Sequence, residues 1–178
     1  SQGLLEAQVR SLAVALKTNT SIETINGRPP FAWALGLGEA GEPIVDSMLG
    51  SEHFRPEVSK LKELKLKGKK IGDAGVAVLA KVLPECTALS YLDLDKNEIS
   101  DAGAATLAQV LPQCAALVYL SLNGNHIGDS GGNALCAVLP QCALEYLFLE
   151  SNQIGSSVLS KLDEMDLTVR NTNGDTIR

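Results

Sequence analysis

Four segments of the chain share one spacing of leucine residues. In each segment the pattern is L-x-x-L-x-L, and successive segments lie 28, 28 and 27 residues apart. The segments begin at Leu61, Leu89, Leu117 and Leu144. Alternation of apolar and polar positions predicts a short strand with one buried face, and the apolar stretch that follows, as in Val76–Leu83, predicts a helix. A unit of this size cannot bury its own apolar face, so the pattern predicts that copies stack on one another.

The turns between strands and helices carry further repeated residues. An asparagine follows the first leucine of three segments by eight positions, and we expect its side chain to bind buried backbone groups; Lys69 replaces it in the first segment. An aspartate then precedes each of three helices, which predicts an N-cap, and a glycine two residues later would allow close approach of neighbouring units. A Leu-Pro-x-Cys sequence ends each of these helices, because proline blocks continuation. The repeated positions are Asn97, Asn125 and Asn152; Asp73, Asp101 and Asp129; Gly75, Gly103 and Gly131.

These blocks resemble leucine-rich repeats. The similarity covers residues 61–154 and is to the long subtype found in ribonuclease inhibitor, nucleotide-binding immune receptors, Ran GTPase-activating protein and tropomodulin. It implies an α/β fold: a right-handed, curved leucine-rich-repeat solenoid with a parallel inner sheet and outer helices.

Three regions are predicted along the chain. Residues 1–60 contain a capping helix and a degenerate first repeat with an insertion, residues 61–154 are the regular repeats, and residues 155–178 form a shortened C-terminal cap. The insertion carries the apolar run Phe31–Leu35, which either folds down as a cap over the open end of the solenoid or projects as a contact loop. The run Gly36–Gly41 matches a dinucleotide-binding fingerprint, but Pro43 follows closely and a solenoid offers no suitable crossover, so we predict no cofactor.

Composition narrows the possible functions. A net charge of -6 argues against a nucleic-acid partner, and no apolar run is long enough for membrane insertion. The four cysteines are isolated and form no C-x-x-C pair, which predicts a reducing, cytoplasmic compartment and no metal site. The two histidines, His53 and His126, have no partner at a recognisable catalytic spacing, so no catalytic residue is predicted.

The concave face of the predicted sheet is the candidate binding surface. Residues that flank the buried leucines should point to solvent there, and stacked parallel strands would align three tyrosines into a ladder. Tyrosine suits a protein-binding hot spot, although stacked tyrosines could instead only support the sheet. The candidate partner-binding residues are Tyr91, Tyr119, Tyr146, Phe148, Lys65, Lys67, Asp93, Asp95, Asn123 and Glu150.

Charge is segregated along the repeats. Residues 60–71 carry six lysines against Glu63, a net of +5, whereas residues 89–154 carry Lys96 against seven carboxylates, a net of -6. Such a field would orient a charged partner during association. The alternative is ordinary charge that keeps the surface hydrated.

These features predict a non-enzymatic scaffold that binds a protein partner on the concave sheet. One alternative is a structural subunit, or a fragment of a larger assembly or receptor. The sequence of Leu16–Ile25 resembles tropomodulin, which adds actin capping as a variant of this alternative. A GTPase-activating role is less favoured. It would need an arginine, and the chain has none between Arg55 and Arg170, which leaves Arg28 as the candidate.

Overall fold

The computed structural model describes residues 58–165 and the backbone of two further strands. Helices and short strands alternate along this part of the chain. The strands are β1 (Glu63–Lys65), β2 (Tyr91–Asp93), β3 (Tyr119–Ser121), β4 (Tyr146–Phe148), β5 (Thr168–Arg170) and β6 (Thr176–Ile177). The helices are α1 (Gly72–Val82), α2 (Asp101–Val110), α3 (Asp129–Val138) and α4 (Ser156–Asp163). The predicted capping helix, degenerate repeat and insertion of residues 1–57 lie outside the described residues.

The six strands form one sheet in sequence order. Strands β1 to β5 are parallel, whereas β6 pairs with β5 in antiparallel orientation. The register places equivalent repeat positions opposite each other, so that Tyr91 pairs with Tyr119 and Tyr119 with Tyr146. The parallel sheet with alternating helices confirms the predicted leucine-rich-repeat solenoid. The antiparallel strand β6 was not predicted.

The leucine triplets form the core between sheet and helices. The central leucines of β1 to β4 are all buried, and the apolar faces of the helices pack against them. Each of the first three helices ends in a 3-10 turn that contains the proline, as at Leu83–Glu85 after α1. The proline therefore ends the α-helix as predicted.

The asparagines form a buried ladder along the turns. Asn97 is fully buried; its Oδ1 accepts from the backbone N–H of Lys69 at 2.9 Å, and its Nδ2 donates to the backbone oxygens of Leu66 at 2.9 Å and Asp95 at 3.1 Å. Asn125 repeats this arrangement one unit later. The predicted role of the asparagines is confirmed, and each one joins its own turn to that of the preceding repeat.

The aspartates form a second ladder, and here the N-cap prediction is wrong. Asp101 is the first residue of α2 rather than its cap, and the cap is Ser100, whose side chain accepts from the N–H of Ala102. Asp73 instead reaches forward to the next repeat, where its Oδ1 accepts from the N–H of Ser100 at 2.8 Å and of Gly103 at 3.0 Å. Asp73 and Asp101 thus cap the helix of the following repeat, because stacking brings that helix start within reach.

The glycine at the helix start makes this approach possible. A Cβ on Gly103 would overlap Asp73 Oδ1 and lie 2.7 Å from Ile99 Cγ2. Gly131 stands in the same relation to Asp101. The predicted close approach between neighbouring units is therefore confirmed at both positions.

Candidate functional site

The concave face carries a branched ladder of aromatic rings. Tyr91 and Tyr119 are stacked, with ring centroids 4.3 Å apart and an interplanar angle of 15°. Tyr119 also contacts two rings of β4: its centroid lies 4.8 Å from that of Phe148 and 6.3 Å from that of Tyr146, both tilted. Tyr146 is 41% exposed, and the other three rings are half-buried. The structure thus brings the four predicted aromatic residues together on one face.

Tyr119 is the centre of this cluster. Burial raises the pKa of its hydroxyl to about 12, and a hydrogen bond with Tyr91 and the negative charges of Asp95 and Asp93 act in the same direction. The phenol is therefore neutral at physiological pH and keeps its proton for hydrogen bonding. The result is a surface of large apolar area with hydroxyl groups at its edge, as in protein-binding hot spots.

The first strand contributes a cation to the ladder. Lys65 Nζ lies 5.5 Å from the centroid of the Tyr91 ring, within the range of a cation–π contact, and 2.6 Å from Glu63 Oε2. The hydrogen bond with Glu63 is the main cause that raises the pKa of Lys65. Both partners of this ion pair are exposed, so it adds little to stability and fixes where the charge lies.

One candidate residue, Asp95, does not lie on the exposed surface. Asp95 was expected on the solvent-facing side, but it is only 7% exposed. Its carboxylate accepts hydrogen bonds from Lys67 Nζ at 3.1 Å, from Ser121 Oγ, and from the backbone N–H of Asn123 at 3.0 Å. The prediction is wrong for Asp95 because stacked repeats provide enough donors to bury its charge. Asp95 therefore organises the turns and offers little surface to a partner.

Asn123 and Glu150 continue this polar network toward β4. Asn123 Oδ1 accepts from the backbone N–H of Glu150 at 2.7 Å, and its Nδ2 donates to Ser121 Oγ at 3.1 Å. Both residues are half-buried, as is Asp93. Sequence reasoning did not single out Ser121, which is 3% exposed and bridges two repeats. The signal was present, because Ser121 is a small polar residue at the strand position that Lys65, Asp93 and Phe148 occupy in the other repeats.

Three of the four cysteines follow the 3-10 turns, the fourth, Cys136, is in α3, and all four are free thiols. Cys86, Cys114 and Cys136 are buried, and Cys142 is half-buried. Burial raises the pKa of Cys86 to about 12 and that of Cys114 to about 11. These side chains therefore act as small apolar groups of the core.

Residues 58–165 provide neither a metal-binding group nor a membrane-spanning helix. No group of His, Cys, Asp and Glu in this range could hold a metal ion. No helix among the described residues has the length and apolar character required to cross a bilayer. Arg28, the candidate arginine of the GTPase-activating alternative, lies outside the described residues.

The repeated strand–turn–helix units, joined by asparagine and aspartate ladders, define a leucine-rich-repeat solenoid. A comparison with protein families agrees: the family described as Leucine Rich repeat matches residues 85–108 and 113–136. The matched residues cover strands β2 and β3 and most of helices α2 and α3. No curated protein matches it in a sequence search.

Solved structures share this fold. The structure titled "Leiomodin-1 Actin-Binding Site 2 (ABS2)" superposes with a TM-score of 0.56 at 19% sequence identity. The match covers 65% of this chain and 72% of the other. At this identity the likeness establishes the architecture and not the partner.

Proposed function

We propose that the chain is a non-enzymatic interaction scaffold that binds a protein partner on its concave sheet. The observation that carries this proposal is the aromatic cluster of Tyr91, Tyr119, Tyr146 and Phe148, whose rings contact one another and remain at least partly open to solvent. Large rings held rigid by stacking lose little conformational entropy on binding, so their burial against a partner yields net affinity.

The charges beside the rings support a directed approach of the partner. Lys65 and Lys67 lie at the β1 end of the candidate surface, and Asp93 and Glu150 lie further along. A partner with the opposite distribution would be attracted in one orientation. We therefore include these residues, with Asn123, in the proposed binding surface. Asp95 is not included, because it is buried and holds Lys67 and Asn123 in place.

The test is a crosslinking and affinity-capture experiment with the whole chain as bait. Tyr119→Ala removes the central ring, and we expect it to lose the partners captured by the wild type. The matched control is Gln109→Ala, an exposed residue of α2 on the helical side of the solenoid. Urea unfolding of both variants separates loss of binding from loss of fold. An unchanged set of partners with Tyr119→Ala would contradict the proposal.

Actin binding is the specific alternative. It is supported by the structural likeness to a leiomodin actin-binding site and by the tropomodulin-like sequence of Leu16–Ile25. Cosedimentation with actin filaments, and the effect of the chain on filament elongation, would test it. Binding that the Tyr119→Ala variant retains would indicate an actin contact elsewhere on the chain.

The setting of the scaffold is also a proposal. Four free thiols support a reducing compartment such as the cytoplasm. We propose that residues 1–60 and 155–178 are the caps that seal the repeats, and that the chain belongs to a larger complex or a longer receptor. Size-exclusion chromatography checks the caps, because an open solenoid end would cause self-association.

A further inference from the structure

The two ends of the aromatic cluster differ in charge. At one end, the chain itself places a cation over a ring: Lys65 Nζ is 5.5 Å from the centroid of Tyr91, and Glu63 Oε2 lies 2.6 Å from that nitrogen. This group of carboxylate, cation and tyrosine shows that the face of a ladder ring accepts a positive charge in the context of this sheet.

At the other end, the ring of Tyr119 contacts those of Tyr146 and Phe148, and all three residues are at least partly exposed. Phe148 occupies the repeat position that Lys65 occupies in β1, since both are the last residues of their strands. The sequence has neither lysine nor arginine between Lys96 and Lys161, but it has five carboxylates in that interval. They are Glu98, Asp101, Asp129, Glu145 and Glu150.

Carboxylates flank the strand that carries two of these rings. Glu145 precedes β4 directly and is exposed, and Glu150 follows it by two residues. Asp93, on β2, is in register with Ser121 of β3, the strand that carries Tyr119. A ring face in a negative field attracts cations more strongly than a ring face alone.

We propose that Tyr119, Tyr146 and Phe148 form the seat for an arginine or lysine side chain in an extended basic segment of the protein partner. This inference rests on the proposed function and specifies the chemistry of the partner. The guanidinium group is the better fit, because its plane stacks on aromatic rings while its edges donate to carboxylates.

The competing occupant is a cation from this chain. Strand β5 pairs with β4, and Arg170 is in register with Phe148. The experiment must therefore distinguish a partner's arginine from Arg170.

The experiment is selection of displayed random twelve-residue peptides on the immobilised whole chain. We compare wild type, the double variant Tyr146→Leu with Phe148→Leu, and Arg170→Ala. Leucine keeps much of the apolar area and removes the ring faces, and urea unfolding verifies the fold of each variant. The best wild-type peptide is then synthesised with each arginine replaced by citrulline, a neutral isostere; this arm requires no protein variant.

We expect wild-type selection to enrich arginine and lysine. Replacement of one arginine by citrulline should weaken binding about tenfold, and the leucine variant should lose the same preference. Enrichment of neutral or acidic peptides, equal binding of the citrulline peptide, or absence of any enriched peptide would overturn the inference. Enrichment of basic peptides only with Arg170→Ala would also overturn it, because Arg170 would then fill the seat. Partner capture that depends on Tyr119 would still support the proposed function in these cases.

Discussion

The first described repeat and the one that follows it differ at the asparagine position. Asn97 is fully buried in the second repeat, whereas Lys69, its counterpart in the first, is exposed. The first turn is nevertheless closed, because Asn97 Oδ1 accepts the N–H of Lys69 and its Nδ2 donates to the carbonyl of Leu66. The side chain that closes a turn therefore comes from the next repeat. The turn of the first repeat stays closed although that repeat has no asparagine of its own.

The aspartates act in the opposite direction. Asp73, in the first repeat, binds the helix start of the second through Ser100 and Gly103. Two ladders thus join each pair of repeats, one from asparagines that reach backward and one from aspartates that reach forward. Stability is concentrated at the junctions between repeats, as expected when each unit is too small to fold alone.

The largest effect is expected for Asn125→Ala. The change removes acceptors for the N–H groups of Asn97 and Ile99 and donors to the carbonyls of Leu94 and Leu122. Buried backbone groups would be left unsatisfied, so the free energy of unfolding should fall by about 3–5 kcal/mol in urea denaturation.

Lys69→Ala is the matched control at the equivalent position of the first repeat. Its side chain is exposed, so we expect a change below about 0.5 kcal/mol. Similar losses of unfolding free energy from Asn125→Ala and Lys69→Ala would show that the asparagine ladder does not stabilise the junctions between repeats.

A smaller loss is expected for Gly103→Ala, which obstructs the forward-reaching aspartate. The new methyl group would overlap Asp73 Oδ1 and press on Ile99 Cγ2, which should cost about 2–3 kcal/mol in the free energy of unfolding. In the double variant with Asp73→Ala, the loss should be smaller than the sum of the two single losses, because the clash between the new methyl group and Asp73 is gone. Strict additivity in urea denaturation would contradict the contact between these residues.

The fold could be predicted largely because the repeat signals are local. Leucine spacing defines strands and buried positions, and the proline marks the end of each of the first three helices. The aspartate partners could not be predicted, because Asp73 and Ser100 are 27 residues apart and meet only after stacking. A single aspartate before a helix is compatible with capping either that helix or a neighbouring one.

For the candidate surface, too, the sequence predicted local features but not those that depend on stacking of the repeats. Alternation predicted that Tyr91, Tyr119, Tyr146 and Phe148 share a face, and register confirms it. Alternation also predicted an exposed Asp95, but the depth of that side chain depends on donors from both neighbouring repeats. Orientation within a strand is local information, whereas burial of a charge is a property of the assembled stack.

The aspartate ladder should weaken toward its C-terminal end. Asp101 Oδ1 accepts from the N–H groups of Gly128 at 2.7 Å and Gly131 at 2.9 Å, while Asp129 Oδ1 accepts from that of Gly155 at 2.6 Å in an exposed setting. We expect Asp101→Ala to lower the free energy of unfolding by about 1–2 kcal/mol and Asp129→Ala by about half of that. Urea denaturation of both variants checks the order; a larger loss for Asp129→Ala would reverse the comparison.

The smallest effect concerns the residue that follows each strand at the turn, seven positions after the first leucine. This position has positive φ in all four described repeats: 65° at Gly68, 54° at Lys96, 65° at Gly124 and 56° at Ser151. A side chain is strained in this left-handed region, and glycine is not. Lys96→Gly should therefore raise the free energy of unfolding by about 0.5–1 kcal/mol, because relief of strain exceeds the added flexibility of the unfolded chain.

Gly124→Ala is the reverse experiment at the equivalent position of the next repeat. It introduces the strain and places a methyl group 3.1 Å from Lys96 Cγ, so the free energy of unfolding should fall. In the Lys96→Gly background that contact is absent, and Gly124→Ala should cost less than it does in the wild type. Equal costs in the two backgrounds would show that backbone strain alone acts at this turn, and that the lysine stem does not press on the new methyl group.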